Sequence, residues 1–82
     1  MRQTLSLSHL SCGQSAVIQH VRGKGAMYER LCDLGFTPNT TVTCLFASIF
    51  GDPRAYRIKG TTIALRQSDA DTIECSFTGG EE

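Results

Sequence analysis

The sequence lacks a long apolar run, a secretory signal and an excess of charge of either sign. Its longest uninterrupted apolar stretch is Cys44 to Ala47, whereas a membrane-spanning helix needs about 20 apolar residues. The N-terminal segment, MRQTLSLSHL, contains no apolar stretch of the kind found in secretory signals. Eight Lys and Arg residues balance eight Asp and Glu residues, whereas nucleic-acid binders present a net basic field. The sequence therefore predicts neither direct membrane insertion nor nucleic-acid binding.

Catalytic and phosphate-binding signatures are also missing from the chain. The stretch RGKGA, Arg22 to Ala26, has residue types of a phosphate loop but neither its spacing nor its Ser or Thr. No G-x-S-x-G nucleophile elbow occurs. Asp69 and Asp71 lie on a polar turn, where Asp is favoured as a solvated cap. We therefore predict that the chain is not an enzyme.

The four cysteines, Cys12, Cys32, Cys44 and Cys75, include no C-x-x-C pair. The compact half-site of a zinc ribbon or finger is thus missing. No disulfide framework is expected without a secretory signal, because cytosolic thiols stay reduced. Cys44 and Cys75 are predicted to be buried, reduced and unmetallated, since cysteine behaves as a small apolar residue in cores. For Cys12 and Cys32, a packing role and a ligand role both stay open. His20 is interpreted as a partly buried structural imidazole, and no metal ligand set is predicted.

Hydrophobic periodicity predicts short strands around a single helix. The second strand is expected to place Val42, Cys44 and Phe46 on one face. A polar helical turn is expected at 67–72, before the last strand. The predicted strands are Gln14 to Val21, Thr41 to Phe50, Ala55 to Lys59, Thr62 to Arg66 and Ile73 to Phe77.

The helix is predicted in GAMYERLCDLGF, where Met27, Leu31 and Leu34 form one apolar stripe. Gly35 follows the last periodic residue, at the position where a left-handed glycine ends many helices. Phe36 is then expected to fold back on Leu31, as in a Schellman cap.

These elements predict a mainly β protein of about five strands, with one inserted α-helix and a short helical turn before the last strand. Short strands joined by tight turns in a chain of 82 residues favour a small, partly open β-barrel. We predict one domain over residues 1–77 and a disordered tail over residues 78–82, which are polar and glycine-containing.

Several short motifs follow one another in an order that resembles the FeoA family over roughly residues 5–77. The most specific combination is R-L-x-x-L-G, then G-D-P, then I-A-L-R. The only departure noted is Asn39, which replaces the usual glycine after Pro38. The matching residues are Leu7, Leu10, Gly13, Ala16 and Ile18; Met27, Arg30, Leu31, Leu34, Gly35, Phe36, Pro38, Asn39 and Val42; Phe50 to Pro53; Ile58 to Gly60; Ile63 to Arg66; and Ala70 and Ile73.

The resemblance implies an SH3-like β-barrel and a cytoplasmic, non-enzymatic accessory role in bacterial ferrous-iron uptake. The implied partner is FeoB, a membrane Fe²⁺ transporter with a cytoplasmic G-protein domain. Related domains form the C-terminus of iron-dependent repressors, so the alternative is a domain that binds or senses Fe²⁺. Its candidate ligands are Cys12, Cys32, His9 and His20. No cofactor is expected, although weak binding of Fe²⁺ or another transition metal stays open.

The candidate partner-binding residues lie mainly in one loop. Phe50 offers apolar area, Asp52 and Arg54 offer directional charge, and Pro53 restricts the loop's shape. Loops carry recognition more often than core elements do. Arg30, on the predicted wet side of the helix, is a second candidate. The alternative is that Gly-Asp-Pro is only a hairpin turn and Arg30 only a solvated residue.

Overall fold

The computed structural model describes residues 3–77. The predicted tail at 78–82 lies outside the described residues. A 3₁₀ turn, Leu7–His9, follows the first strand. The helices and strands are β1 Gln3–Ser6, β2 Ser15–Val21, α1 Ala26–Leu34, β3 Thr41–Ala47, β4 Arg54–Ile58, β5 Thr61–Leu65, α2 Gln67–Ala70 and β6 Ile73–Phe77.

All the strands form one antiparallel sheet in the order β1-β6-β2-β3-β4-β5. The five predicted strands, the helix and the helical turn are confirmed. An additional strand, β1, pairs with β6 so that Leu5 lies opposite Cys75. The QTLS sequence of β1 has a single apolar residue and hence no alternation to detect. Because β1 and β5 are the edges of the described sheet, the barrel is not closed.

The buried apolar side chains form one core. Tyr56 is its largest fully buried side chain, and burial raises the pKa of its hydroxyl to about 12. Cys44 and Cys75 have no exposed surface, which confirms their predicted burial. Other members come from the 3₁₀ turn, the strands and the end of α1, and they include Leu7, Leu10, Ile18, Leu31, Phe36, Val42, Ile58 and Ile73.

The predicted end of α1 is confirmed in detail. Gly35 is left-handed, with φ of 111°. Its N–H donates to the Cys32 carbonyl, and the Phe36 N–H donates to the Leu31 carbonyl, each over 3.0 Å. This is the hydrogen-bond pattern of a Schellman cap, and it buries Phe36 beside Leu31.

The first member of the predicted apolar stripe lies outside the core. Leu31 is buried and Leu34 packs against the core, but 42% of Met27 is exposed. Residues 22–30 are all exposed, so only the C-terminal end of α1 reaches the sheet. The prediction that Met27 faces the core is therefore wrong.

Two β-bulges overturn two further predictions about side-chain direction. In β3 the register with β4 shifts between Cys44 and Phe46, and Phe46 is 60% exposed. In β2 the register with β6 shifts between Ile18 and His20, and His20 is exposed rather than partly buried. A bulge inserts one extra residue into a strand, so the alternation of the following side chains is reversed. β3 accordingly ends at Ala47 rather than continuing to Phe50.

Candidate partner-docking site

The loop between β3 and β4 exposes two apolar side chains, and backbone hydrogen bonds within the loop hold its shape. Ile49 is 91% and Phe50 is 92% exposed. The Ser48 N–H donates to the Pro53 carbonyl over 3.0 Å, and the Gly51 N–H donates to the Ser48 carbonyl over 2.9 Å. The predicted exposure of Phe50 in this loop is therefore what the structure shows.

The two charged residues of this loop are tied to the rest of the fold. Asp52 Oδ1 accepts a hydrogen bond of 2.9 Å from the Gln67 N–H, at the start of α2. The half-buried Arg54 donates from Nη1 to the Leu10 carbonyl over 2.5 Å. Both side chains thus hold neighbouring segments in place. Their role in partner binding stays a prediction.

Arg30 and Pro53, predicted as two separate candidates, border the same groove. This groove, of about 230 Å³, runs between α1, β5 and the loop. We call it the α1–β5 groove. Its remaining lining residues are Met27, Leu31, Ala64, Leu65, Arg66 and Asp69.

The lining of the α1–β5 groove combines apolar surface with a net positive rim. Met27, Pro53 and Ala64 offer apolar surface. Arg30 and Arg66 are exposed guanidinium groups, against a single carboxylate from Asp69. Guanidinium groups bind carboxylates in bidentate geometry. The groove therefore suits a segment that carries an apolar side chain next to an acidic one.

A second, smaller groove of about 170 Å³ also borders Met27 and is lined by Tyr28, Arg22 and Lys24 among others. Met27 thus borders both grooves. Methionine adapts readily to different contact surfaces. Sequence reasoning missed Met27 as a surface residue, because helical spacing does not show which end of a helix reaches the core.

The metal-ligand candidates do not come together as one group. His9 Nδ1 lies 2.9 Å from Ser6 Oγ, and His20 lies on β2 opposite Glu74. Cys32 is half-buried on α1. Across residues 3–77, no three His, Cys, Asp or Glu residues are arranged to hold a metal ion. The structure instead brings Cys12 to within 3.5 Å of Cys44, measured between the sulfur atoms.

Within residues 3–77, neither helix has the length and apolarity of a bilayer-spanning segment.

A family model described as the FeoA domain matches residues 5–76. One relative, from Porphyromonas gingivalis, is a fusion of Fe(2+) transport protein A with the Fe(2+) transporter FeoB. It is 37% identical over 70 residues, which cover 85% of this chain and 8% of the relative. The chain therefore spans only a small part of that fusion protein.

Two solved structures share this fold over most of the chain. Iron(II) transport protein A from Clostridium thermocellum is 33% identical, with a TM-score of 0.87 over 93% of this chain and 47% of that one. A Stenotrophomonas maltophilia FeoA, solved in complex with zinc, is 29% identical, with a TM-score of 0.78 over 87% of this chain and 88% of that one. It is described as an SH3 domain protein, which confirms the expected SH3-like fold.

Proposed function

This chain belongs to the FeoA family, and we propose that it is a non-enzymatic accessory protein of ferrous-iron uptake. In this proposal it docks on the cytoplasmic side of a FeoB-type Fe²⁺ transporter. The Porphyromonas gingivalis relative supports the pairing, because it carries both proteins in one polypeptide. Fusion raises the effective concentration of one module near the other, which is useful when the two bind each other.

The α1–β5 groove is the proposed docking surface. The observation that carries this proposal is that Arg30 and Pro53, on separate elements, border one groove with both apolar and basic walls. Mixed surfaces of this kind are typical of interfaces, where Arg and Met are enriched and an apolar centre has a polar rim. Phe50 extends the surface beyond the groove, because it is almost fully exposed on the adjoining loop.

The complementary segment on the transporter is expected to be apolar and acidic. Arg30 and Arg66 place two positive groups at the groove, which would attract a carboxylate and orient it. Met27 and Pro53 would contact the neighbouring apolar side chain. This predicts that the affinity depends on both the charge and the apolar lining.

The charge requirement is tested by Arg30→Glu, with Arg57→Glu as the matched control. Both arginines are exposed, but Arg57 lies on β4 and does not line the groove. We expect Arg30→Glu to weaken binding of the transporter's cytoplasmic part about tenfold, or ~1.4 kcal/mol. Arg57→Glu should bind as wild type does. Equal binding by both variants would remove the groove from the proposal.

The loop requirement is tested by Phe50→Ala in a pull-down and in Fe²⁺ uptake by cells. Phe50 makes little contact with the fold, so its removal should change stability by less than about 0.5 kcal/mol. We expect both capture of the transporter and Fe²⁺ uptake to fall. Arg54 is left unchanged in this test, because it donates to the Leu10 carbonyl and its removal would also disturb the fold. Normal uptake with the folded Phe50→Ala protein would exclude Phe50 from the interface.

The alternative function is binding or sensing of Fe²⁺ or a related metal. The observation in its favour is the zinc complex of the Stenotrophomonas maltophilia FeoA. A calorimetric titration of the reduced chain with Fe²⁺ and Zn²⁺ separates the two functions. Stoichiometric binding at micromolar metal would favour the metal-handling function. Loss of that binding in Cys12→Ser would identify the exposed thiol as a ligand.

A further inference from the structure

Cys12 and Cys44 form a thiol pair outside the docking surface, in which an exposed cysteine contacts a cysteine of the core. Their sulfur atoms are 3.5 Å apart, although 32 positions separate them in the sequence. Two backbone hydrogen bonds hold their segments together. The Gly13 N–H donates to the Cys44 carbonyl over 2.7 Å, and the Cys44 N–H donates to the Gln14 carbonyl over 3.0 Å. The approach of the two thiols is therefore built into the backbone.

The two thiols differ in their access to solvent. Cys12 lies in an exposed turn, whereas Cys44 is fully buried on β3. Burial raises the pKa of the Cys44 thiol, and the neighbouring Cys12 raises it further, while the Arg54 guanidinium opposes the rise. Because the thiolate is the nucleophile, an external reagent meets Cys12 first and reaches Cys44 only through Cys12.

We propose that Cys12 and Cys44 are an oxidation site that forms a reversible intramolecular disulfide with low-molecular-weight disulfides. In the first step the Cys12 thiolate attacks one sulfur of the small disulfide and expels one small thiol, which leaves a mixed disulfide on Cys12. In the second step the Cys44 thiolate attacks the Cys12 sulfur and expels the second small thiol. The protein loses two protons and two electrons, and the small disulfide gains them to become two thiols.

The geometry requires only a small adjustment for this bond. A disulfide sulfur pair lies about 2.05 Å apart, so the two sulfur atoms must approach by about 1.5 Å. Cys12 stands on a turn next to Gly13, which is left-handed and has open space around it. The turn can therefore supply the movement while β3 stays in register. The expectation that Cys44 stays reduced then applies only in the absence of an oxidant.

The other two cysteines provide internal controls. Cys75 is fully buried, and burial raises the pKa of its thiol to about 12. Cys32 is half-buried on α1 beside Tyr28, whose pKa it raises. Within residues 3–77, neither sulfur atom contacts the sulfur of another cysteine. Neither cysteine should therefore form a disulfide with Cys12.

The proposal is tested by treating the reduced full chain with glutathione disulfide, then alkylating the free thiols in denaturant for mass spectrometry. We expect a product lighter by two hydrogens, with two alkylated cysteines and a peptide joining Cys12 to Cys44. Dithiothreitol should restore four free thiols. Cys32→Ser should behave as wild type, and Cys12→Ser should form neither adduct nor cross-link. Cys44→Ala, if folded, should accumulate the glutathione adduct on Cys12.

Three results would overturn the proposal. In the first, wild type stops at a stable glutathione adduct on Cys12. In the second, the cross-link joins Cys32 or Cys75 instead. In the third, Cys12 is consumed no faster than Cys75, whereas we expect at least about a tenfold difference. Cys12→Ser should fold, because Cys12 is exposed and lies outside the core. This variant therefore tests the proposal even where Cys44→Ala does not fold.

Discussion

The two ends of α1 differ in how they contact the rest of the protein. At the C-terminal end, Leu31 and Phe36 are buried and Gly35 closes the helix. At the N-terminal end, residues 26–30 are exposed and Met27 borders two grooves. One nine-residue helix therefore anchors the fold at one end and presents a surface at the other.

We infer that the C-terminal end of α1 contributes mainly to stability and that its N-terminal end contributes mainly to partner recognition. Substitutions at the C-terminal end are expected to change the free energy of unfolding, because they remove buried contacts. Substitutions at the N-terminal end are expected to change binding while leaving the fold intact.

Phe36→Ala should have the largest effect, because Phe36 has no exposed surface and lies directly after the helix cap. Loss of a buried phenylalanine costs about 3–5 kcal/mol, which is comparable to the net stability of many domains this small. Urea unfolding should therefore show a largely unfolded variant. A loss below about 1 kcal/mol would show that this end of α1 does not anchor the fold.

Gly35→Ala should lower the free energy of unfolding by about 1 kcal/mol, because a Cβ is disfavoured at positive φ. The added Cβ would lie 3.4 Å from Lys59 Cδ, which is an ordinary contact, so the cost comes from the backbone. Gly35→Asn is the matched comparison and should lower the free energy of unfolding by less than Gly35→Ala does, since Asn tolerates positive φ. If urea titrations show equal losses of stability for the two variants, the cost comes from side-chain packing rather than from the backbone conformation.

Raising the pH should weaken the core that holds the C-terminal end of α1. Burial raises the pKa of Cys75 to about 12 from its ordinary value of 9.0. Between these values the unfolded chain releases a proton that the folded chain keeps, so stability is full below about pH 9 and falls as the pH rises towards 12. Unfolding measured across this range should show the decline, and Cys75→Ala should make it shallower.

Met27→Ala should have the smallest effect on stability, within about 0.5 kcal/mol, because the side chain is largely exposed. Binding to the transporter's cytoplasmic part should nevertheless weaken, since Met27 lines the α1–β5 groove. Met27→Leu is the control that keeps apolar area and should retain most of the affinity. A clear loss of stability in Met27→Ala would contradict the proposed division of α1.

The sequence predicted those parts of the fold that depend on local patterns. Alternation located five strands, and the position of Gly35 after the apolar stripe located the end of α1. The predicted side-chain directions of Phe46 and His20 were wrong, because each residue follows a β-bulge and a bulge depends on pairing with another strand. β1 was missed because backbone pairing with β6, rather than apolar alternation, defines it.

The candidate site was predictable only in pieces. Phe50, Pro53 and Arg30 could each be chosen from turn chemistry and helix position. That Arg30 and Pro53 share a groove depends on how the fold places α1 beside β5 and the loop, which no local pattern encodes. The proximity of Cys12 to Cys44 was likewise hidden, because strand pairing rather than sequence spacing brings them together.

An NMR titration of the labelled chain with the cytoplasmic part of a FeoB-type transporter directly tests whether the α1–β5 groove and the adjoining loop are the docking surface. Backbone amide shifts report each residue separately, so they locate the contact surface without any substitution. We expect shifts that cluster at Met27, Arg30, Ala64, Arg66 and the loop around Phe50. Binding with shifts confined to residues outside the groove and the loop, such as Ser15 and Thr43 on the paired strands β2 and β3, would contradict this expectation.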